Sequence, residues 1–110
     1  MTTATIEEAA DLFTLINTFH TSRERQDAIV QSLRDFTERV ARALPGFVAA
    51  SAHASLDGAH VVNYVQWKSR ADLDAMLASP EAKAHIAQVG ALADKVDPVA
   101  YRVAYVGSLR

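Results

Sequence analysis

The chain has no cysteine in its 110 residues. That excludes a disulfide scaffold, a thiolate nucleophile and every cysteine-based zinc or iron–sulfur site. It also agrees with a cytoplasmic location, which is the expectation here. An excess of charge of either sign is missing as well: 11 basic residues stand against 13 acidic ones, for a net charge of −2. No electrostatic field therefore points to nucleic acid or an anionic membrane as partner. No apolar run approaches the roughly 18 residues of a membrane span. The start, MTTATIEEAAD, has neither the basic leader nor the apolar stretch of a signal peptide. The 4 histidines show no H-x-H or H-E-x-x-H spacing, so a protein-bound metal is not expected. Repeats, low-complexity tracts and linkers are absent too. What is present is an ordinary globular balance, 50% hydrophobic and 22% charged. At this length it makes one domain with a single modest core.

The punctuation of the chain predicts its elements. Leu12 to His20 is rich in β-formers and reads as a first strand. Between Arg23 and Leu44, the apolar positions Ile29, Leu33, Phe36, Val40 and Ala43 recur at steps of three and four. That spacing predicts a long amphipathic helix, stopped by Pro45-Gly46. Phe47 to Ser55, mostly small residues, reads as a second strand. Leu56-Asp57-Gly58-Ala59 carries a turn signal, and His60 to Trp67 returns as a third strand. Ser69 and Asp72 form a capping-box pattern for a short helix holding Leu73, Met76 and Leu77. Ser79-Pro80-Glu81 opens a further helix. Pro98 to Val106 reads as the last strand. The order β-α-β-β-α-α-β predicts an α+β fold, a ferredoxin-like sandwich with its second helix broken in two. It spans residues 12–110 behind an N-terminal extension of residues 1–11.

The third strand is the most informative segment. Side chains on a strand alternate with period two, so Val61, Asn63, Val65 and Trp67 share one face. An amide and an indole in an apolar wall need partners, supplied either by the fold or by a ligand. The opposite face holds Val62 and Tyr64, yet helices can cover only one face of a four-stranded sheet. A second copy of the same sheet would bury the other, which predicts a homodimer. In the alternative, Tyr64, Tyr101 and Tyr105 leave a tolerable amphipathic surface.

The stretch HASLDGAHVVNYVQWKS, preceded by PGFVAA, resembles the antibiotic biosynthesis monooxygenase family. It resembles in particular the small enzymes of that family that oxidise aromatic polyketides to quinones. The resemblance implies a dimeric α+β barrel and oxidation of an aromatic phenol, anthrone or hydroquinone. Molecular oxygen would be the co-substrate, and no cofactor is implied. It makes Asn63 and Trp67 the catalytic residues, as neutral donors to an oxyanion or peroxide in a dry pocket. Three departures stand out. Leu73 replaces a tyrosine of some quinone-forming members, an arginine of the next helix has no basic match near it except His85, and Val65 occupies a position where many relatives carry glutamate. His85 shares an apolar helical stripe with Ala82, Ile86 and Val89, and is a candidate acid or base as well as a core-edge histidine. His53 alternates with Ser51 and Ser55, while His20 and His60 fall at strand ends, where solvent is expected to take them.

Two alternatives use the same fold. Haem-degrading members resemble this chain at Asn17, four residues after Phe13, and approximately at His85, which would be the axial ligand. Met76 then stands where that group has tryptophan. A non-catalytic small-molecule-binding or stress-response barrel is the other alternative. Asn17, Leu73, Met76 and His85 are the expected substrate-binding residues. Cavity volume separates the readings, because an aromatic polyketide needs several hundred Å³ in the usual range of ligand pockets, about 300–1,000 Å³.

Overall fold

The computed structural model describes residues 2–8 and 11–109. Met1, Ala9 and Ala10 of the expected extension, and Arg110, lie outside the described residues. Four strands, β1 (Phe13–His20), β2 (Phe47–Ala54), β3 (His60–Trp67) and β4 (Lys95–Tyr101), form one antiparallel sheet in the order β2-β3-β1-β4. Helices α1 (Arg23–Arg39), α2 (Arg70–Leu77) and α3 (Pro80–Gly90) complete the α+β, ferredoxin-like arrangement that the element order predicts. No helix among the described residues is long and apolar enough to cross a membrane.

The sheet and its helices meet in two apolar clusters. Phe19, Ile29, Leu33, Val61 and Val89 make one. Val65, Trp67 and Leu73, with Phe13, Leu15, Phe47 and Met76 against them, make the other. Both draw on one face of the sheet, because β1 and β3 pair Phe13 with Trp67, Leu15 with Val65, Asn17 with Asn63, and Phe19 with Val61. The two asparagines therefore form a polar rung between the two cores.

Two elements differ from the sequence expectation. The first helix stops at Arg39, and a 3-10 turn covers Ala41–Ala43. The tighter turn buries Ala41 in place of the expected Ala43, which is exposed. Pro45 sets this end, since the residue before a proline avoids the helical region and Leu44 is extended, at φ −87° and ψ 146°. The last strand is shifted toward the N-terminus, to Lys95–Tyr101, and Tyr105 falls beyond it. Its register accounts for the shift: Tyr101 pairs with Thr14, the second residue of β1, so β1 has only Phe13 left beyond that pair and cannot carry the ladder on to Val106. Pro98 is tolerated because β4 is an edge strand, where a missing N–H need cost no ladder bond.

On the face away from the helices, Ile16, Val62 and Tyr64 are half-buried, and Val99 and Tyr101 are exposed. The strip is apolar only in its middle. His20 and Asp97 pair at 2.9 Å and Ser51 and His53 at 3.1 Å on either side of it. His20 and His60, expected to be solvated, are half-buried and meet edge-on at 5.0 Å between ring centroids. At one end Gln66 is buried, and its side-chain amide donates to the carbonyl of Thr5 at 2.9 Å.

The junction before β2 fixes where α2 begins. Gly46 sits at φ +84°, and its carbonyl accepts from the Lys68 N–H at 2.7 Å. A Cβ on Gly46 would collide with the carboxylate of Asp72. Asp72 is held in turn by the α2 N-cap, where the Ser69 hydroxyl accepts from its N–H at 3.2 Å and donates to its carboxylate at 2.9 Å. Gly46→Ala combines a left-handed penalty of about 1–2 kcal/mol with disturbance of a cap worth about 1 kcal/mol. Thermal unfolding is expected to show a Tm lower by roughly 10 °C, at about 4–8 °C per kcal/mol. An unchanged Tm would mean that the junction relaxes freely.

Candidate functional site

A cavity of about 590 Å³ lies between the sheet and the helices. All six residues singled out in the sequence line it: Asn17 and Asn63 on the polar rung, Trp67 at the end of β3, Leu73 and Met76 from α2, and His85 from α3. Small residues make the room. Pro98 on β4 stands beside Asn17, and Ala50 on β2 and Ala100 on β4 stand beside Val65 and Leu15; these compact side chains fill little of the space under the helices.

The polar groups in this wall are free. The Trp67 indole is 1% exposed, and its Nε1–H has no hydrogen-bond partner among the described residues. Its ring is fixed edge-to-face on Phe47, with centroids 5.5 Å apart and planes at 84°. A buried donor left unpaired costs about 1–3 kcal/mol. The fold therefore holds an indole donor beside a cavity without using it. Asn63 is 8% exposed, and neither its amide nor that of Asn17 is engaged by a described side chain or backbone group. Directly opposite residues on paired antiparallel strands have Cβ atoms about 4.5–5.5 Å apart, so the two amides act on one region of space.

His85 is half-buried, and its ring stacks on Phe36 of α1 at 4.3 Å between centroids, with planes only 9° apart. Burial pushes its pKa below the ordinary histidine value. At neutral pH the ring is thus uncharged and has a free lone pair. Its stripe is less uniform than the spacing implied: Ala82 and Val89 are buried, whereas Ile86 is half-exposed at the cavity mouth. Arg70 and Asp74, one turn apart on α2, also border the mouth, with Nε and Oδ2 3.8 Å apart and both side chains largely exposed.

Sequence reasoning missed the pairing of Asn17 with Asn63 as a site, the stacking role of Phe36, and the Arg70–Asp74 rim. The rim was accessible from its i,i+4 spacing. The other two depend on strand register and interhelical packing, which no local pattern encodes. Among the described residues no group of three His, Asp or Glu side chains is placed to hold a metal ion.

The chemical capacity of the site follows from these groups. It can enclose a ligand of several hundred Å³ in mostly apolar surroundings. It can offer neutral N–H donors to an oxygen that acquires negative charge. It has one uncharged imidazole able to take a proton.

Known proteins resemble this chain in sequence and in fold. The profile of the antibiotic biosynthesis monooxygenase family matches residues 12–88. Tetracenomycin-F1 monooxygenase of Streptomyces glaucescens is 48% identical over 82 residues, covering 74% of this chain and 73% of that enzyme. Among solved structures, a monooxygenase from the gene ActVA-Orf6 of Streptomyces coelicolor, in complex with nanaomycin D, superposes with a TM-score of 0.73 at 28% identity. The superposition covers 87% of this chain and 92% of that one. Rv0793 from Mycobacterium tuberculosis shares the fold, with a TM-score of 0.72 at 24% identity over 90% of this chain and 99% of its own. The family match takes in the whole cavity ladder from Phe13 to Trp67 and the helical residues through His85, so the chain belongs to the antibiotic biosynthesis monooxygenase family and is an enzyme of that monooxygenase class.

Proposed function

We propose that the protein oxidises an aromatic polyketide of the anthrone or hydroquinone type to a quinone, using molecular oxygen and no bound cofactor, as a homodimer. The observation that carries this reading is the buried, unpartnered Trp67 N–H beside the free amides of Asn63 and Asn17, in a cavity of about 590 Å³. The name of the 48% identical relative and the nanaomycin D bound in the Streptomyces coelicolor enzyme support a fused-ring polyketide as ligand.

In this reading the substrate supplies the electrons. An anthrone loses a proton from its methylene carbon, and the resulting electron-rich anion transfers an electron to oxygen. Recombination gives a peroxide on the same carbon. Loss of the second methylene hydrogen as a proton, with cleavage of the O–O bond, leaves a carbonyl and releases water. One oxygen atom enters the product and the other leaves as water. Negative charge moves from the ring oxygen to the peroxide, and neutral N–H donors fixed in a low-dielectric wall stabilise it most where water is excluded. Leu73 and Met76 supply the apolar cover over the ring plane, and Phe13, Phe47 and Phe36 line the remaining walls.

The test is oxidation of dithranol, a simple anthrone, followed by absorbance and by mass spectrometry under labelled oxygen. The expected result is one labelled oxygen atom in the new carbonyl at a rate far above the enzyme-free background. Dialysis against a strong chelator, with no flavin or haem added, is expected to leave that rate unchanged. Loss of activity on dialysis, restored by a metal or by haem, would overturn the cofactor-free part of the reading.

A further inference from the structure

We propose that His85 is the proton relay of this oxygenation: its ring nitrogen takes the first methylene proton and returns it to the peroxide. The inference rests on the oxygenase reading above and goes beyond it by assigning the base.

The cavity itself narrows the choice. Amides and an indole donate hydrogen bonds at neutral pH and do not accept a proton from carbon. The titratable side chains lining the cavity are His85, Arg70 and Asp74. Arg70 is permanently charged and cannot act as a base. Asp74 lies at the rim, 60% exposed and 3.8 Å from the Arg70 guanidinium, so it stands in an exposed ion pair and not in the enclosed space. His85 remains, and three features suit it to the task. Phe36 covers one face of its ring and fixes the ring plane, leaving the nitrogen-bearing edges to point elsewhere. No described group engages either nitrogen. Burial keeps the ring neutral. The charged groups of the cavity are Arg70 and Asp74 of α2, paired with each other at the rim, while α1 contributes Leu33, Phe36 and Thr37 and the sheet contributes only neutral groups.

The relay closes without any further reagent. The first methylene proton moves to His85, and the carbanion and oxygen combine to form the peroxide anion. Protonated His85 returns that proton to the terminal peroxide oxygen. Neutral His85 then takes the second methylene proton as the O–O bond breaks, and neutralises the departing hydroxide to water. The ring ends as it began, and the balance is one methylene plus one oxygen molecule to one carbonyl plus one water.

Two measurements on wild type, His85→Gln and His85→Ala test this. With dithranol in air, His85→Gln is expected to lower kcat by about 10²-fold, within the range for a general acid–base group, with little change in KM. The acid limb of the wild-type pH–rate profile should fall below the ordinary histidine pKa of about 6.5, as the ring charges, and be absent in the variant. Imidazole added to His85→Ala should restore at least a tenfold part of the loss, an outcome that also guards against misfolding. Without oxygen, in D₂O, wild type should speed exchange of the methylene hydrogens and His85→Gln should not. If His85→Gln oxidises and exchanges dithranol at the wild-type rate, the relay assignment is wrong while the oxygenase reading stands. If wild type exchanges the methylene hydrogens but does not oxidise dithranol, the oxygenase reading fails and the relay falls with it.

Discussion

Trp67→Phe is expected to lower kcat for an anthrone by about 10²–10³-fold, the usual cost of removing one oxyanion donor, while KM changes little. Phenylalanine keeps an aromatic ring against Phe47 and deletes the Nε1–H that nothing else in the described fold engages. A donor that serves only the developing peroxide contributes to the transition state and not to ground-state binding, so the loss falls on turnover. Asn63→Leu tests the same wall at the rung: it keeps volume, removes the amide, and is expected to cost a similar factor. Stability gives the control. Losing an unpaired buried donor offsets part of the packing loss, so Trp67→Phe should melt only a few degrees lower. If both variants oxidise the substrate at the wild-type rate, the indole and the rung amide are structural, and the wall does not stabilise charge.

That prediction could be framed from the sequence because the period of a strand is local. Once His60 to Trp67 is read as a strand, Asn63 and Trp67 must share a face, and the observed β3 has those bounds. The helix stripe through Ile29 and Leu33 and the capping pattern at Ser69 and Asp72 are legible for the same reason. Register between distant segments is not. Asn17 and Asn63 are opposite each other only because β1 and β3 pair in one of several possible alignments, and a slip of one residue would put the two amides on opposite faces. The displaced β4 has the same origin, since its limits come from what β1 leaves unpaired. The stack of His85 on Phe36 needs α1 and α3 to pack at a particular depth, so spacing within either helix cannot announce it. The six residues nominated from the sequence all line the cavity, but which of them face one another was not legible there.

For the proposed homodimer, with twice the 11.9 kDa chain mass, Val62→Glu is expected to give a monomer in sedimentation at micromolar concentration. The physical case starts from the sheet face that no helix covers. Ile16, Val62 and Tyr64 lie side by side on it across β1 and β3, and Val99 of β4 continues the strip next to Ile16. Val99 and Tyr101 are 44% and 50% exposed in the single chain, a cost in water that a second sheet would remove. The flanking polar groups suit a rim: His20 with Asp97 and Ser51 with His53 satisfy one another and need no partner across an interface. A glutamate at Val62 would put one unpaired carboxylate from each copy into such an interface. An unpaired charge taken out of water costs several kcal/mol, enough to shift a micromolar dimer to monomer. The cavity lies on the other face of the same sheet, so a monomeric Val62→Glu that keeps its fold should still bind an anthrone. Its rate then reports how far the second copy stiffens the strands carrying Asn63 and Trp67. A wild-type protein that sediments at 11.9 kDa would remove the dimer and leave the amphipathic strip as the surface of a monomer.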